Sequence, residues 1–121
     1  MTVSQHLKGL AFDWADRIIP VKPVTRTPKE QNSIDRESRR MQLYFSRHCP
    51  SAVSVRRHCL KLGLRIVEKD VDRVDCFRNE LINGGGASLI PCMRVEGKEK
   101  THWLYGEEAI LEYVNSRFSA S

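Results

Sequence analysis

The sequence lacks any apolar run of the roughly 20 residues that a membrane-spanning helix needs. Its N-terminus also lacks the basic start, short apolar run and small-residue cleavage site of a secretory signal. We therefore expect a cytoplasmic protein. An apolar fraction of 40% and a charged fraction of 29% over 121 residues suit one folded domain with a modest core.

A disulfide framework and a metal cluster are not expected either. The four cysteines are Cys49, Cys59, Cys76 and Cys92. Without a secretory signal, they indicate an intracellular protein with reduced thiols. The pairs His48-Cys49 and His58-Cys59 recur ten residues apart, which is roughly 15 Å along one helix. Bonds to zinc are about 2 Å long, so both pairs cannot share one ion, and we expect no metal.

Positive charge is concentrated in one part of the chain. The whole chain has a net charge of +5. Residues 17–57 alone hold ten Lys or Arg against three Asp or Glu. A nucleic-acid partner is not expected, because this block lacks interleaved aromatic residues and matches no helix-turn-helix or RNA-binding signature. The basic residues could instead provide an electrostatic field that stabilises a thiolate and attracts anionic thiol substrates, and this explains the concentration of positive charge at least as well.

Residues 1–40 are predicted to form an N-terminal helical extension. Apolar residues at steps of three and four predict an amphipathic helix over residues 6–19, which Pro20 and Pro23 end. Its apolar side is open to three partners: its own domain, a dimer partner or a membrane surface. A second, polar helix is predicted to begin with Thr27 as N-cap, Pro28 in the first turn and Glu30 completing a capping box.

Residues 41–121 are predicted to form one α/β domain with the order β-α-β-α-β-β-α. The predicted elements are a strand at 41–46, a helix at 50–62, a strand at 64–71, a helix at 72–82, strands at 91–95 and 102–104, and a helix at 107–118. The helix between the first two strands makes that pair parallel, and the last two strands form a hairpin, so the sheet is mixed and four-stranded. The glycines at 84–86 are predicted to be a flexible loop, because no Lys-Ser/Thr follows them as in a phosphate-binding loop.

The apolar sides of two helices are assigned from spacing. In the first helix of this domain, Val53, Leu60 and Cys59 are predicted on the apolar side, with Gly63 as its C-cap. In the last helix, the residues predicted to face the core are Ala109, Ile110, Tyr113, Val114 and Phe118.

Cys49 is the candidate nucleophile. It follows a buried strand and stands at the start of a helix, with Pro50 in the first turn. Thiolate is the reactive form of cysteine, and unpaired N–H groups at a helix N-terminus favour negative charge. Arg47 and His48 add positive charge beside it. An ordinary cysteine at a cap position is the competing interpretation.

Three motifs in order resemble the glutaredoxin family, in particular its bacterial branch close to the N-terminal domain of glutathione transferases. They are the strand followed by Cys49-Pro50, Ile90-Pro91 about forty residues later, and Gly106-Glu107-Glu108-Ala109-Ile110 at the last helix. The likeness covers about residues 41–118. It implies a thioredoxin/glutaredoxin-like fold in which Pro91 is a cis-proline facing Cys49.

The resemblance also implies glutathione as co-substrate, with Cys49 as the catalytic thiol. The residues that it assigns to glutathione binding are Pro50, Ser51, Ile90, Pro91, Glu107 and Glu108. In the family the backbone of the residue before the proline pairs with the main chain of the glutathione cysteine. Cys92 is a candidate resolving thiol, although strand alternation could equally turn it into the core.

The chain departs from the family pattern at two positions. Ala52 stands where two-cysteine members have a second thiol, so a single-thiol route is expected. Pro50-Ser51-Ala52 also differs from the Gly-Phe-Ser associated with iron–sulfur clusters, which argues against cluster binding. Glu107 replaces a serine that receives the γ-glutamyl carboxylate in relatives, whereas Glu108 matches the acid that meets the substrate amine.

The leading interpretation is a single-cysteine, glutathione-linked thiol-disulfide oxidoreductase whose partners are glutathione and glutathionylated or disulfide-bonded proteins. The alternative is a non-catalytic thioredoxin-fold binding module, which Ala52 and Glu107 favour. Cys49, Pro50 and Pro91 favour the enzyme.

Overall fold

A computed structural model describes residues 22–118. The predicted helix at 6–19 and the end of the chain after Phe118 lie outside the described residues. The helices are α1 (Pro28–Ser38), α2 (Pro50–Lys61), α3 (Asp75–Glu80) and α4 (Glu107–Phe118), and α3 continues as a π-helical turn over Leu81–Gly85. The strands are β1 (Met41–Phe45), β2 (Val67–Asp70), β3 (Cys92–Glu96) and β4 (Thr101–Tyr105).

The fold is α/β, built on one four-stranded mixed sheet in the order β2-β1-β3-β4. The predicted parallel pair is confirmed: Gln42 of β1 lies opposite Val67 of β2. The hairpin is confirmed as well, since β3 and β4 pair antiparallel through Cys92–Tyr105 at one end and Glu96–Thr101 at the other. β1 and β3 also pair antiparallel, with Tyr44 opposite Cys92.

Alternation along β1 divides the core into two clusters, one on each face of the sheet. Met41, Leu43 and Phe45 point into the first core cluster, which α2 and α4 cover with Ala52, Val55, Cys59, Ile110, Val114 and Phe118. Tyr44 points the other way into the second core cluster, formed with Val71, Leu81 and Cys92. The molecule therefore has helices on both faces of the sheet.

Local signals explain where α1 and α2 begin and end. The Thr27 hydroxyl accepts a hydrogen bond from the Glu30 N–H at 3.3 Å, as predicted for the N-cap. α2 starts at Pro50, whose missing N–H costs nothing in a first turn. Its last residue is Lys61 and its C-cap is Leu62; Gly63 follows with φ of +72°, a left-handed conformation that glycine adopts without strain.

Residues 24–38 lie against the ends of α2 and α4. Val24 N donates to the Lys61 carbonyl at 2.9 Å, and Arg26 donates to the carbonyls of Leu62 and Phe118. Gln31 donates to the Gly63 carbonyl at 2.9 Å. These hydrogen bonds give partners to carbonyl groups that have none within the helix because they lie at its end. The division of the chain at residue 40 stays a prediction.

Three expectations about local structure were wrong. α3 begins at Asp75, not at residue 72, because residues 71–73 form a turn that follows β2. The glycines are not simply a loop: Gly84 and Gly85 complete the π-helical turn and pack against Trp103. β2 is also shorter than predicted, at four residues.

The predicted faces of α2 and α4 need two corrections. Ala109 is exposed and does not face the core; a step of about 100° per residue turns it away from Ile110, and Leu111 packs against the first core cluster instead. Leu60 is only half-buried, whereas Ala52 and Val55 are fully buried. Val53 and Cys59 are buried as predicted.

Candidate functional site

Cys49 is the N-cap of α2, and its side chain is half-buried against the first core cluster. Its backbone is extended, with φ of −104° and ψ of 109°, and its N–H donates to the Ser46 carbonyl at 3.2 Å. The thiol makes no capping hydrogen bond to the helix. The sulfur is therefore held at a helix N-terminus while it stays available for chemistry, in a place where negative charge is favoured.

The turn that carries Cys49 is fastened to the residues after β2. The buried Ser46 hydroxyl donates to the Asp72 carboxylate and accepts a hydrogen bond from the His48 N–H at 3.1 Å. Asp72 also accepts a hydrogen bond from Arg78 of α3 at 3.2 Å. The bond network fixes the path of the chain from β1 into α2, and so it positions Cys49.

Sequence reasoning missed Ser46, Asp70 and Asp72. The sequence did contain a signal for them. Asp70 is the last residue of β2 and Asp72 follows it closely, and the carboxyl ends of two parallel strands meet at one edge of a sheet. Asp70 connects the end of β2 to the same turn a second time, because its carboxylate forms an ion pair with the Arg47 guanidinium at 3.7 Å.

A cavity of about 440 Å³ opens beside this turn, lined by Arg47, His48, Asp70, Asp72 and Arg73. Its lining holds two carboxylates as well as two guanidinium groups, so the positive charge expected around Cys49 is partly balanced. Farther along α2, Arg56 pairs with Glu68. The cavity is thus suited to a ligand that carries charges of both signs.

Pro91 and the start of α4 lie at the same end of the sheet as Cys49. Because Tyr44 lies opposite Cys92, Pro91 precedes β3 beside the end of β1. The Gly106 N–H donates to the Pro91 carbonyl at 3.0 Å, which brings the beginning of α4 to this end. The Ile90–Pro91 bond is cis, as the resemblance implied, and Pro91 is buried.

The remaining predicted binding residues are divided between two helix starts and one loop. Pro50 and Ser51 are half-buried in the first turn of α2, and Ile90 packs against the second core cluster. Glu107 and Glu108 begin α4 and line an open cavity of about 570 Å³ with Tyr105, Gly106, Ala109 and Leu111. Glu107 is half-buried there, while Glu108 is exposed.

The other three cysteines differ from Cys49 in their surroundings. Cys59 and Cys92 are buried, and burial raises the pKa of each thiol to about 12. Cys92 lies in the second core cluster, on the face of the sheet opposite the residues that Cys49 contacts. This placement argues against Cys92 as a resolving thiol. Cys76 is exposed in the first turn of the six-residue α3, directly after Asp75.

The described residues offer neither a metal-binding group nor a membrane-spanning helix. Residues 22–118 contain no group of three or more His, Cys, Asp or Glu side chains arranged to hold a metal ion. Over the same residues, no helix combines the length and apolar character required to cross a membrane.

Comparisons of the chain with protein-family models, with curated proteins and with solved structures gave no match.

Proposed function

We propose that this protein is a glutaredoxin-type, thioredoxin-fold thiol-disulfide oxidoreductase that uses Cys49 alone and acts on glutathione mixed disulfides. The observation that carries the proposal is the position of Cys49. It is the N-cap of α2, its thiol makes no capping hydrogen bond, and it lies at the end of the sheet where Pro91 and the N-terminus of α4 also lie. Among the four cysteines, it combines partial exposure with a long helix behind it and basic neighbours.

The proposed reaction has two exchange steps. The Cys49 thiolate attacks the glutathione sulfur of a protein–glutathione disulfide, a bond forms between Cys49 and glutathione, and the protein thiolate leaves and takes up a proton. A second glutathione thiolate then attacks the glutathione sulfur bound to Cys49. Glutathione disulfide leaves, and the Cys49 thiolate is regenerated. No second thiol of the protein is needed, which suits the fully buried Ala52 three residues after Cys49.

Glutathione carries two carboxylates and one ammonium group, and the site offers groups of both signs. The N-terminus of α4, with its free N–H groups, is one place for a carboxylate. Glu108 can meet the ammonium group, while Glu107 on the same turn repels a carboxylate. Arg47 and Arg73, which line the cavity beside Cys49, provide the second place for a carboxylate.

Replacement of Cys49 by serine is expected to reduce glutathione-coupled reduction of a small mixed disulfide to the uncatalysed rate, because serine cannot form the intermediate disulfide. The assay measures the rate at which glutathione disulfide is formed, by coupling it to enzymatic reduction of that disulfide. Cys76→Ser is the matched control: it removes the other accessible thiol and should keep full activity. Residual turnover in Cys49→Ser equal to that of the wild type would contradict the proposal.

The same assay separates the enzyme from the non-catalytic binding module. A binding module would bind glutathione in an NMR titration, with shifts at Cys49 and at the start of α4, yet the wild type would show no turnover. The enzyme shows both binding and turnover, and only its turnover depends on Cys49.

Replacement of Glu107 by serine is expected to tighten glutathione binding. Glu107 puts a negative charge on the turn that receives the carboxylate, and removal of a like charge near 4 Å should strengthen binding about tenfold after solvent screening. An NMR titration measures the dissociation constant, and the gain should shrink at high salt.

The matched control for this change is Glu112→Ser, which removes the same charge from α4 five residues after Glu107, at a position that does not line the cavity. It should leave binding unchanged. Equal effects of the two substitutions would mean that overall charge, not the α4 N-terminus, governs affinity. Unchanged or weaker binding in Glu107→Ser would mean that glutathione does not dock at this turn.

A further inference from the structure

A second polar cavity lies between α1 and the end of α4, away from Cys49. It has a volume of about 380 Å³ and is lined by Ser33, Arg36, Glu37, Arg40 and Arg117. Four of these residues are spaced three, four and seven apart along the chain, so α1 and the turn after it present them as one stripe. Arg40 comes just before β1 and Cys49 comes after it, so the cavity is at the opposite end of the sheet.

The positive charge in this cavity is not balanced by its lining. Among residues 22–118, its only lining acid is Glu37, which is engaged by Arg117: the Arg117 Nε donates to the Glu37 carboxylate at 2.6 Å. Within residues 22–118, Arg36 and Arg40 form no ion pair. The cavity therefore carries an excess of two positive charges.

Arg36 and Arg40 are placed to meet on one anion. Arg36 lies in the last turn of α1 and Arg40 in the turn that follows the helix, and both line the same cavity. Guanidinium groups are planar donors whose paired N–H groups match phosphate oxygens, and they convey affinity for phosphate when several converge. The Ser33 hydroxyl supplies a further donor on the same stripe.

A neighbouring cavity extends the site toward the β3–β4 hairpin. It has a volume of about 220 Å³ and shares Glu37, Arg40 and Arg117 with the first. The new lining residues include Met41, Val95, His102 and Tyr113, together with Glu96, whose carboxylate pairs with Arg94 at 3.3 Å. The Arg117 guanidinium lies over the Tyr113 ring, 5.9 Å from its centre, which holds Arg117 between the two cavities. Together they have the size of a small-molecule site with a charged half and a partly apolar half.

We propose that this α1–α4 cavity binds the phosphate group of a small phosphorylated ligand, with Arg36 and Arg40 as the main contacts and Ser33 and Arg117 beside them. The cavity is open, and its volume of about 380 Å³ suits a single phosphate or diphosphate. Arg39, the adjacent basic residue, does not line it, whereas Arg36, Arg40 and Arg117 do, so the guanidinium groups converge on one place and do not form a track. The site does not depend on the function proposed for Cys49.

The test is a calorimetric titration of the full chain with pyrophosphate at low ionic strength. Arg36→Gln and Arg40→Gln should each weaken binding about tenfold or more, because each removes one charged contact. Arg39→Gln is the matched control: it removes the same charge from the next residue and should change affinity less than twofold. Arg36 and Arg40 have no ion-pair partner among the described residues, so both variants should unfold at the wild-type temperature.

Two further titrations separate the sources of the phosphate. Vesicles of phosphatidylcholine containing phosphatidic acid present the same group on a lipid, and tighter binding to them, with the same loss in both variants, would support the site and identify its ligand as a headgroup. Tighter binding to single-stranded DNA, with equal losses in all three arginine variants, would overturn the proposal in favour of a nucleic-acid surface. No binding of pyrophosphate or vesicles would also overturn it, whatever the activity of Cys49.

Discussion

At neutral pH, iodoacetamide is expected to modify Cys49 first, Cys76 more slowly, and Cys59 and Cys92 only when the protein unfolds. Burial raises the pKa of the Cys59 and Cys92 thiols to about 12, so at pH 7.5 their thiolate fractions are about 1 in 30,000. Both side chains are also shielded from the reagent. The difference in labelling rate between Cys49 and the two buried thiols should therefore exceed a thousandfold.

Cys76 is the informative competitor, because it is exposed as well. It follows Asp75 directly and lies one helical turn before Glu80, in a helix of only six residues. Cys49 has Arg47 and His48 before it and the twelve-residue α2 after it. Limited alkylation with peptide mapping measures the order, and Cys49→Ser and Cys76→Ser identify the two peptides. Preferential labelling of Cys76 or Cys92 in the folded protein would contradict the assignment of Cys49 as the reactive thiol.

The parts of the fold that the sequence predicted depend on short-range patterns. β1 reads as a buried strand because four of its five residues are apolar, and α4 was predicted with its observed ends. The Thr27 cap and the Gly63 end of α2 need only local chemistry. The parallel and antiparallel strand pairs follow from the connections, since a helix joins β1 to β2 and a short turn joins β3 to β4.

The parts that were missed depend on contacts between distant residues. Ser46 and Asp72 are 26 residues apart in the chain and meet only because β1 and β2 are parallel neighbours. Cys49 itself could be chosen from its place before a helix, whereas the network that holds its turn could not. Arg36 and Arg40 have the sequence pattern of ordinary exposed charge, and only the fold brings Arg117 of α4 beside them, where it pairs with Glu37 of α1.

The π-helical turn is the clearest case of tertiary contact overriding a local pattern. Three successive glycines predict a flexible loop, yet Gly84 and Gly85 pack closely against the ring of Trp103. Trp103 in turn stacks on Tyr44, with ring centres 5.8 Å apart, and lies under the Arg94 guanidinium. Glycine is required because the backbone approaches the aromatic side chains more closely than a Cβ would allow.

Replacement of Gly85 by alanine is therefore expected to destabilise the fold by about 1–3 kcal/mol or more. The added Cβ would overlap the Tyr105 hydroxyl and lie 2.9 Å from the Trp103 ring. Room could be made only if the π-helical turn moved away from β4, which would open the second core cluster around Leu81 and Cys92. Urea unfolding followed by tryptophan fluorescence measures the loss, as a lower midpoint at unchanged slope.

Two companion variants tie the effect to this contact. Ser88→Ala changes an exposed residue three positions after Gly85 and should leave the urea midpoint unchanged. Tyr105→Phe removes the hydroxyl that the new Cβ would meet, at the cost of a 3.3 Å hydrogen bond to the Ala87 carbonyl. In that background Gly85→Ala should cost less than it does alone, so the double-mutant cycle gives a favourable coupling. The remaining cost comes from Trp103, which the second substitution leaves in place. Strictly additive losses would mean that the alanine is accommodated without meeting Tyr105, and that the π-helical turn does not rest on β4.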